Sequence, residues 1–133
     1  MKVTIIKQYS VFMPNRPGAL ARMAKLFSDS GVNIIGISSE VRDDSALVRI
    51  AVDGEEDRSS ILSKAGFASV EGRLLSVEVE DKPGQLAKVA KILADGGINI
   101  TNVYGTSFGR QVSRILFAVD STDAAAELLQ VRS

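Results

Sequence analysis

Two short segments decide the fold of this chain: Asn15–Leu20, which reads NRPGAL, and Asp81–Leu86, which reads DKPGQL. Each segment follows an apolar run and precedes a stretch with helical spacing. Because proline fixes φ and glycine lets the backbone turn sharply, Pro-Gly after a strand predicts a corner from strand to helix. The two corners consist of Asn15, Arg16, Pro17, Gly18, Ala19 and Leu20, and of Asp81, Lys82, Pro83, Gly84, Gln85 and Leu86.

The corners belong to an internal repeat. Pro17 and Pro83 lie 66 positions apart, and at this offset 12 of the 26 residues from position 9 to position 34 are identical. Self-similarity of this kind predicts two equivalent structural units, so we divide the chain into a first repeat (residues 1–72) and a second repeat (residues 73–133). The identical pairs include Gly31 and Gly97, Asn33 and Asn99, and Ile34 and Ile100.

Each repeat shows the same predicted order of elements. A β-prone run leads into the corner, and apolar residues then recur at i, i+3, i+4 and i+7, the spacing of an amphipathic helix. Gly31 and Gly97 stand where a left-handed helix stop is expected. Two more strands and a second helix follow; we predict the second helices over residues 55–64 and 122–131. The order β-α-β-β-α-β predicts an α+β fold of two ferredoxin-like repeats side by side, with antiparallel sheets and helices on one face.

The second repeat ends before its last strand. The chain begins, however, with a strand-like segment, residues 2–8, that lies 66 positions before residues 68–74. We expect this segment to fill the vacant sheet edge of the second repeat, in the same chain or in a partner chain, because an unfilled edge exposes unpaired backbone groups. Deleting residues 1–7 should then destabilise the second repeat.

The composition limits the possible functions. The 133 residues include 16 basic and 16 acidic side chains, no cysteine and no histidine. Zero net charge gives no electrostatic reason to expect a nucleic-acid partner, and 5% aromatic residues are few for a base-stacking sheet. No apolar run is long enough for a membrane span, and no signal peptide is recognisable, so we expect a cytoplasmic protein without a membrane partner.

Catalysis is not expected. Without cysteine and histidine the chain lacks the commonest nucleophile, general base and metal ligands, and it has no glycine-rich phosphate loop. We therefore predict that the protein is not an enzyme, and that it has no metal site and no cofactor.

The two corners resemble the motif of the ACT domain. The pattern Asp/Asn-x-Pro-Gly-x-Leu, then an amphipathic helix, then Gly-x-Asn-Ile occurs here twice, at residues 15–20 with 31–34 and at residues 81–86 with 97–100. The resemblance covers nearly the whole chain. It implies a regulatory protein that binds a small ligand, most often an amino acid, between paired domains. It also implies a continuous eight-stranded sheet, and a partner enzyme or transporter that senses the ligand.

The residues of the corner suit such a ligand. The first turn of a helix has amide groups without acceptors and a partial positive charge, and so can receive a carboxylate. Glycine at 18 and 84 allows close approach, and the side chains of Asn33 and Asn99 offer both a donor and an acceptor. Each feature alone has a structural explanation as well: Pro-Gly turns the chain into a helix, and Gly-x-Asn ends one.

The two corners are not equivalent. Asp81 can cap its helix and pair with a ligand ammonium group, whereas Asn15 caps equally well but carries no charge. We therefore expect the second corner to bind an amino acid more tightly than the first. Candidate specificity residues are Ile35, Ser38, Thr101 and Tyr104.

The alternative function is a ligand-free interaction module whose sheets simply dimerise. The sequence leaves this alternative open, and it does not name the ligand or the regulated partner. Exposed sheet edges and an interface-type site favour a homodimer in either case.

Overall fold

The computed structural model describes residues 1–107 and 111–132. Part of the predicted turn between the last two strands, residues 108–110, lies outside the described residues. In chain order the elements are β1 (Lys2–Pro14), α1 (Ala19–Asp29), β2 (Ile34–Arg42), β3 (Ser45–Val52), α2 (Ser59–Ser63), β4 (Ala68–Glu80), α3 (Gln85–Asp95), β5 (Ile100–Ser107), β6 (Val112–Val119) and α4 (Thr122–Arg132).

The chain forms two compact units. The first unit consists of residues 7–72, and the second unit of residues 1–6 together with residues 73–133. In the first unit the strands follow the order β2-β3-β1-β4, and in the second unit the order β1-β4-β6-β5. The pairs β1–β3, β2–β3, β4–β6 and β5–β6 are antiparallel. The predicted α+β class with ferredoxin-like repeats is confirmed.

The strand count differs from the expected one. Eight strands were expected, and the described residues form six. The difference arises because β1 and β4 are 13 residues long, and each supplies residues to both units. In β1 and in β4, two of the eight expected strands thus form one continuous strand.

The core of the first unit lies between its sheet and its two helices. On β1 the side chains alternate, so that Tyr9, Val11 and Met13 face the helices. Helix α1 packs Met23 and Phe27 against them, and the rings of Tyr9 and Phe27 are 6.2 Å apart. The helical spacing in the sequence thus marks the buried face.

The core of the second unit is built in the same way. Leu75 and Val77 of β4 and Phe117 of β6 pack against Val89 and Leu93 of α3. The N-terminal segment contributes as well, because two of its partly buried side chains pack on this cluster. These are Val3 and Ile5.

The helix stops agree with the prediction. Gly31 and Gly97 have φ angles of 71° and 74°, in the left-handed region. Helix α4 also agrees with its predicted range. Helix α2 was predicted over residues 55–64, which is wrong, because it spans only Ser59–Ser63. The Asp57 carboxylate accepts a hydrogen bond of 2.9 Å from the Ser59 amide, so the chain turns there before the helix begins.

Candidate functional site

The two corners have the same backbone geometry. After β1 and β4 the chain turns through four residues, and the helices α1 and α3 begin at Ala19 and Gln85. Gly18 and Gly84 immediately precede the helices, with φ angles of 89° and 94°. A side chain at either position would meet nothing within 4 Å. Glycine is therefore required by the backbone conformation, and the space beside it is open.

One detail of the predicted corner is wrong. The polar residues at the front of each corner do not cap the helices. Instead the Asn15 amide donates a hydrogen bond of 3.2 Å to the Asp43 carbonyl, and the Asp81 carboxylate accepts one of 3.0 Å from the Ser113 hydroxyl.

Neither α1 nor α3 has a side-chain cap at its start. The first amide groups of a helix have no acceptor within the helix, and the helix dipole adds partial positive charge there. These helix starts can therefore donate hydrogen bonds to a carboxylate without displacing a capping side chain.

A pocket lies beside the helix start in each unit. The first corner pocket has a volume of about 160 Å³ and is mostly apolar. Its polar side chains are Asn15, Arg16 and Ser39, and none of the described acidic residues lines it. The remaining lining residues are Met13, Pro14, Ala19, Leu20, Ile37, Val41, Ala46 and Val48.

The second corner pocket is larger and carries charges of both signs. Its volume is about 440 Å³, and Glu80, Asp81, Lys82 and Arg114 are among its lining residues. The Lys82 ammonium lies 3.0 Å from the Glu80 carboxylate, and its hydrogen bond holds the pKa of Glu80 below the usual value. The other lining residues are Val79, Gln85, Leu86, Val103, Tyr104, Gly105, Thr106, Ser113 and Ile115.

The predicted asparagines do not reach the corner of their own repeat. Asn33 follows α1, whose 11 residues separate it from the first corner by about 16 Å. It lines a different, open pocket together with Ile34. In the second repeat the backbone N–H of Asn99 donates to the Asp120 carboxylate at 3.2 Å, and Ile100 packs on the core. Within one repeat, the structure therefore brings together only part of the predicted site.

The family model described as an ACT domain pair matches residues 3–133. The chain belongs to the ACT domain pair family. A search of curated proteins found no match.

Solved structures share the fold of this ACT domain pair. A crystal structure of a Bacteroides thetaiotaomicron protein has a TM-score of 0.86 at 22% identity, covering 98% of this chain and 90% of that one. The ligand-free regulatory subunit of aspartate kinase from Thermus thermophilus has a TM-score of 0.67 at 17% identity, with 98% and 96% covered. The corresponding Thermus flavus subunit has a TM-score of 0.61 at 17% identity, with 98% and 95% covered.

The strand residues that line the ACT corner pockets were only partly identified from the sequence. Tyr104 lines the second pocket, but the first is lined by Ile37 and Ser39 rather than by Ile35 and Ser38. An irregularity in the β2–β3 pairing between Ile34 and Gly36 shifts the alternation of side chains by one residue. The Thr101 hydroxyl instead donates to the Ala118 carbonyl at 3.2 Å. No periodicity in the sequence marks such a bulge.

Two further properties concern what the ACT domain pair could bind. Within residues 1–107 and 111–132, no group of three or more acidic side chains is placed to hold a metal ion. Each described helix falls short of the length and apolar character that a bilayer crossing requires.

Proposed function

We propose that this ACT domain pair is a non-catalytic regulatory protein that binds a free amino acid where ACT domains meet and signals to a partner enzyme or transporter. The observation that carries the proposal is the pair of open pockets at equivalent, uncapped helix starts. The similarity of the fold to the regulatory subunit of aspartate kinase agrees with a regulatory role.

The second corner is the principal site in this proposal. Its pocket is the larger of the two, about 440 Å³ against 160 Å³. The uncapped amides of α3 would bind the ligand carboxylate, and Asp81 would bind the ammonium group. The Asp81 carboxylate accepts a hydrogen bond from the Ser113 hydroxyl, and a carboxylate has about four lone-pair sites, so one carboxylate can accept bonds from several donors at once.

A homodimer would complete the site. Strand β2 forms the outer edge of the first unit, and Leu20, Ile37 and Val41 beside that edge are each at least half exposed. Exposed apolar side chains along an unpaired strand favour pairing with another copy. In the second unit β5 is the outer strand, and Leu86 and Val103 are similarly exposed.

Antiparallel pairing of the outer strands of two copies would also bring Asn33 and Asn99 close to a corner pocket. If β2 pairs with β2 of a second copy in opposite directions, the beginning of one strand comes beside the end of the other. The partner's Asn33, which precedes its β2, then lies near Val41 and the first corner pocket. The same argument applies to Asn99 and β5. The asparagines would thus act on the corner of another copy.

Regulation requires that the ligand prefers one arrangement of the domains. A ligand that binds two arrangements with equal affinity does not shift the equilibrium between them, however tightly it binds. We therefore expect the amino acid to stabilise the association of two copies, and the partner to distinguish the associated form from the free form.

Thermal denaturation in the presence of each of the twenty amino acids tests the proposal. A ligand at a hundred times its dissociation constant adds about 2.7 kcal/mol to the free energy of unfolding, and so raises the melting temperature measurably. The variant Asp81→Asn should lose the effect, and Asn15→Ala serves as the matched control. If no amino acid shifts the transition, the exposed apolar edges favour the alternative, a ligand-free dimerisation module.

A further inference from the structure

The two corner pockets differ in charge at positions that the repeat makes equivalent. The second pocket is lined by two acidic and two basic side chains, whereas the first contains Arg16 and no acidic residue. Lys82 of the second pocket is neutralised by Glu80 at 3.0 Å. The Arg16 guanidinium, by contrast, forms no ion pair with any described residue. The first pocket therefore presents a positive charge that no ion pair with a described residue neutralises.

The difference is clearest between Ser113 in the second repeat and its equivalent in the first repeat, Ala46. Ser113 lies opposite Val79 on the paired strand, and Ala46 lies opposite Met13 in the equivalent place. In the second repeat the Ser113 hydroxyl donates to Asp81 at 3.0 Å and so orients the carboxylate toward a fixed direction. In the first repeat Asn15 and Ala46 occupy these positions. They supply neither the negative charge nor the hydroxyl that orients it.

These differences select against an ammonium group in the first pocket. A zwitterion would bring its positive charge beside Arg16, with no carboxylate to compensate it. Desolvating an unpaired ammonium against apolar walls is costly as well. A ligand with a carboxylate and no amino group avoids both penalties, because its only charge is complementary to the guanidinium.

The apolar walls and the volume limit the remainder of the ligand. An apolar cavity of about 150 Å³ accommodates a molecule of the size of benzene. The first pocket has about 160 Å³, lined by Met13, Ile37, Val41 and Val48. A branched aliphatic chain of four to six carbons suits this space, whereas a long or charged side chain does not.

We propose that the first corner pocket binds a short branched 2-oxo acid, the deaminated counterpart of an aliphatic amino acid, while the second pocket binds an amino acid. This inference rests on the proposed ligand-binding function. It gives the two repeats different ligands, so that the protein would respond to an amino acid and to its deaminated form separately. Arg16, Asn15 and Ala46 are the residues that set the preference of the first pocket.

The test compares L-valine with 3-methyl-2-oxobutanoate, which differ only in the amino and oxo groups. Both are titrated into the full chain by calorimetry, and NMR shifts of the Leu20 and Leu86 amides assign each ligand to a corner. The oxo acid should perturb Leu20. Arg16→Ala should weaken its binding roughly tenfold or more, the usual effect of removing a charged hydrogen-bond donor, and the matched Lys82→Ala should leave it unchanged.

A second variant tests the preference without removing Arg16. Asn15→Asp with Ala46→Ser installs the acidic residue and hydroxyl of the second repeat, and should weaken oxo-acid binding while allowing L-valine to perturb Leu20. Circular dichroism melting shows whether the variants remain folded. If L-valine binds the wild-type first corner as tightly as the oxo acid, or if the oxo acid does not perturb Leu20, the inference is wrong. The function proposed above fails separately, if no amino acid perturbs Leu86.

Discussion

Gly18 and Gly84 adopt the same left-handed conformation, with φ angles of 89° and 94°, at the same point of the two repeats. Apart from the glycine itself and its neighbours along the chain, no atom of the described residues lies within 4 Å of the position that a Cβ would occupy at either residue. The requirement for glycine therefore comes from the backbone and not from crowding. Since the corner orients the first amides of the following helix, the conformation links the Pro-Gly motif to the candidate site.

Alanine at either glycine should destabilise the protein. We expect Gly18→Ala and Gly84→Ala each to lower the free energy of unfolding by about 1–2 kcal/mol, the cost of a left-handed conformation for a residue with a side chain. Gly72→Ala is the matched control, because Gly72 also has open space around it but lacks a left-handed φ. Chemical denaturation measures all three. Equal losses at Gly18, Gly84 and Gly72 would show that the corner conformation is not the cause.

Gly105 is a third glycine at which alanine should destabilise the protein. A Cβ there would lie 2.8 Å from the Arg114 carbonyl oxygen on the paired strand. Because backbone cannot move as easily as a side chain, Gly105→Ala should cost about 1–3 kcal/mol. Ser39 occupies the equivalent place in the first repeat and is exposed, so Ser39→Ala should change stability by less than about 0.5 kcal/mol. Urea unfolding of both variants tests this prediction. An unchanged free energy of unfolding in Gly105→Ala would contradict the register of β5 and β6.

The N-terminal segment should stabilise the second unit. Residues 1–6 group with residues 73–133, and Val3 and Ile5 pack on that core. Deleting residues 1–6 should therefore accelerate hydrogen exchange in β4 and β6 more than in β2 and β3. Lys7 is retained in this deletion, because it forms an ion pair with Glu71 in the first unit. Unchanged exchange in β6 after the deletion would refute the assignment of this strand.

Acid should weaken the pairing of Arg73 with Asp123. Two hydrogen bonds of 2.9 and 3.0 Å join the guanidinium to the carboxylate, and they hold the pKa of Asp123 below its usual value. A lowered folded-state pKa means that the contribution is present above the unfolded pKa and is lost as the pH falls through the folded one. The stability difference between wild type and Asp123→Asn should thus be constant near pH 7 and shrink below about pH 4. A difference that grows on acidification would be the opposite of this expectation.

The sequence predicted the parts of the fold that depend on local pattern. The repeat, the helical spacing around Met23 and Val89, and the left-handed stops at Gly31 and Gly97 follow from side-chain periodicity and backbone preference. The continuity of β1 was harder to predict, because it depends on pairing between distant parts of the chain. With β1 and β4 each continuous, the described residues form six strands rather than the expected eight.

The candidate site was less predictable than the fold. The roles of Asn15 and Asp81 depend on residues far along the chain, namely Asp43 and Ser113, that no local pattern identifies. The lining residues Ile37 and Ser39 depend on a bulge in β2, which shifts the side chains by one position. The asparagines at 33 and 99 match the motif in sequence, but the length of a helix separates each from its own corner.

The central claim is that an amino acid binds at the second corner. NMR titration of the isotope-labelled protein with the amino acid that gives the largest thermal shift tests it directly. We expect shift changes concentrated at Gln85, Leu86 and Ser113, and their loss in Asp81→Asn with the fold retained. Shift changes that leave these amides unperturbed and appear only elsewhere in the protein would contradict it.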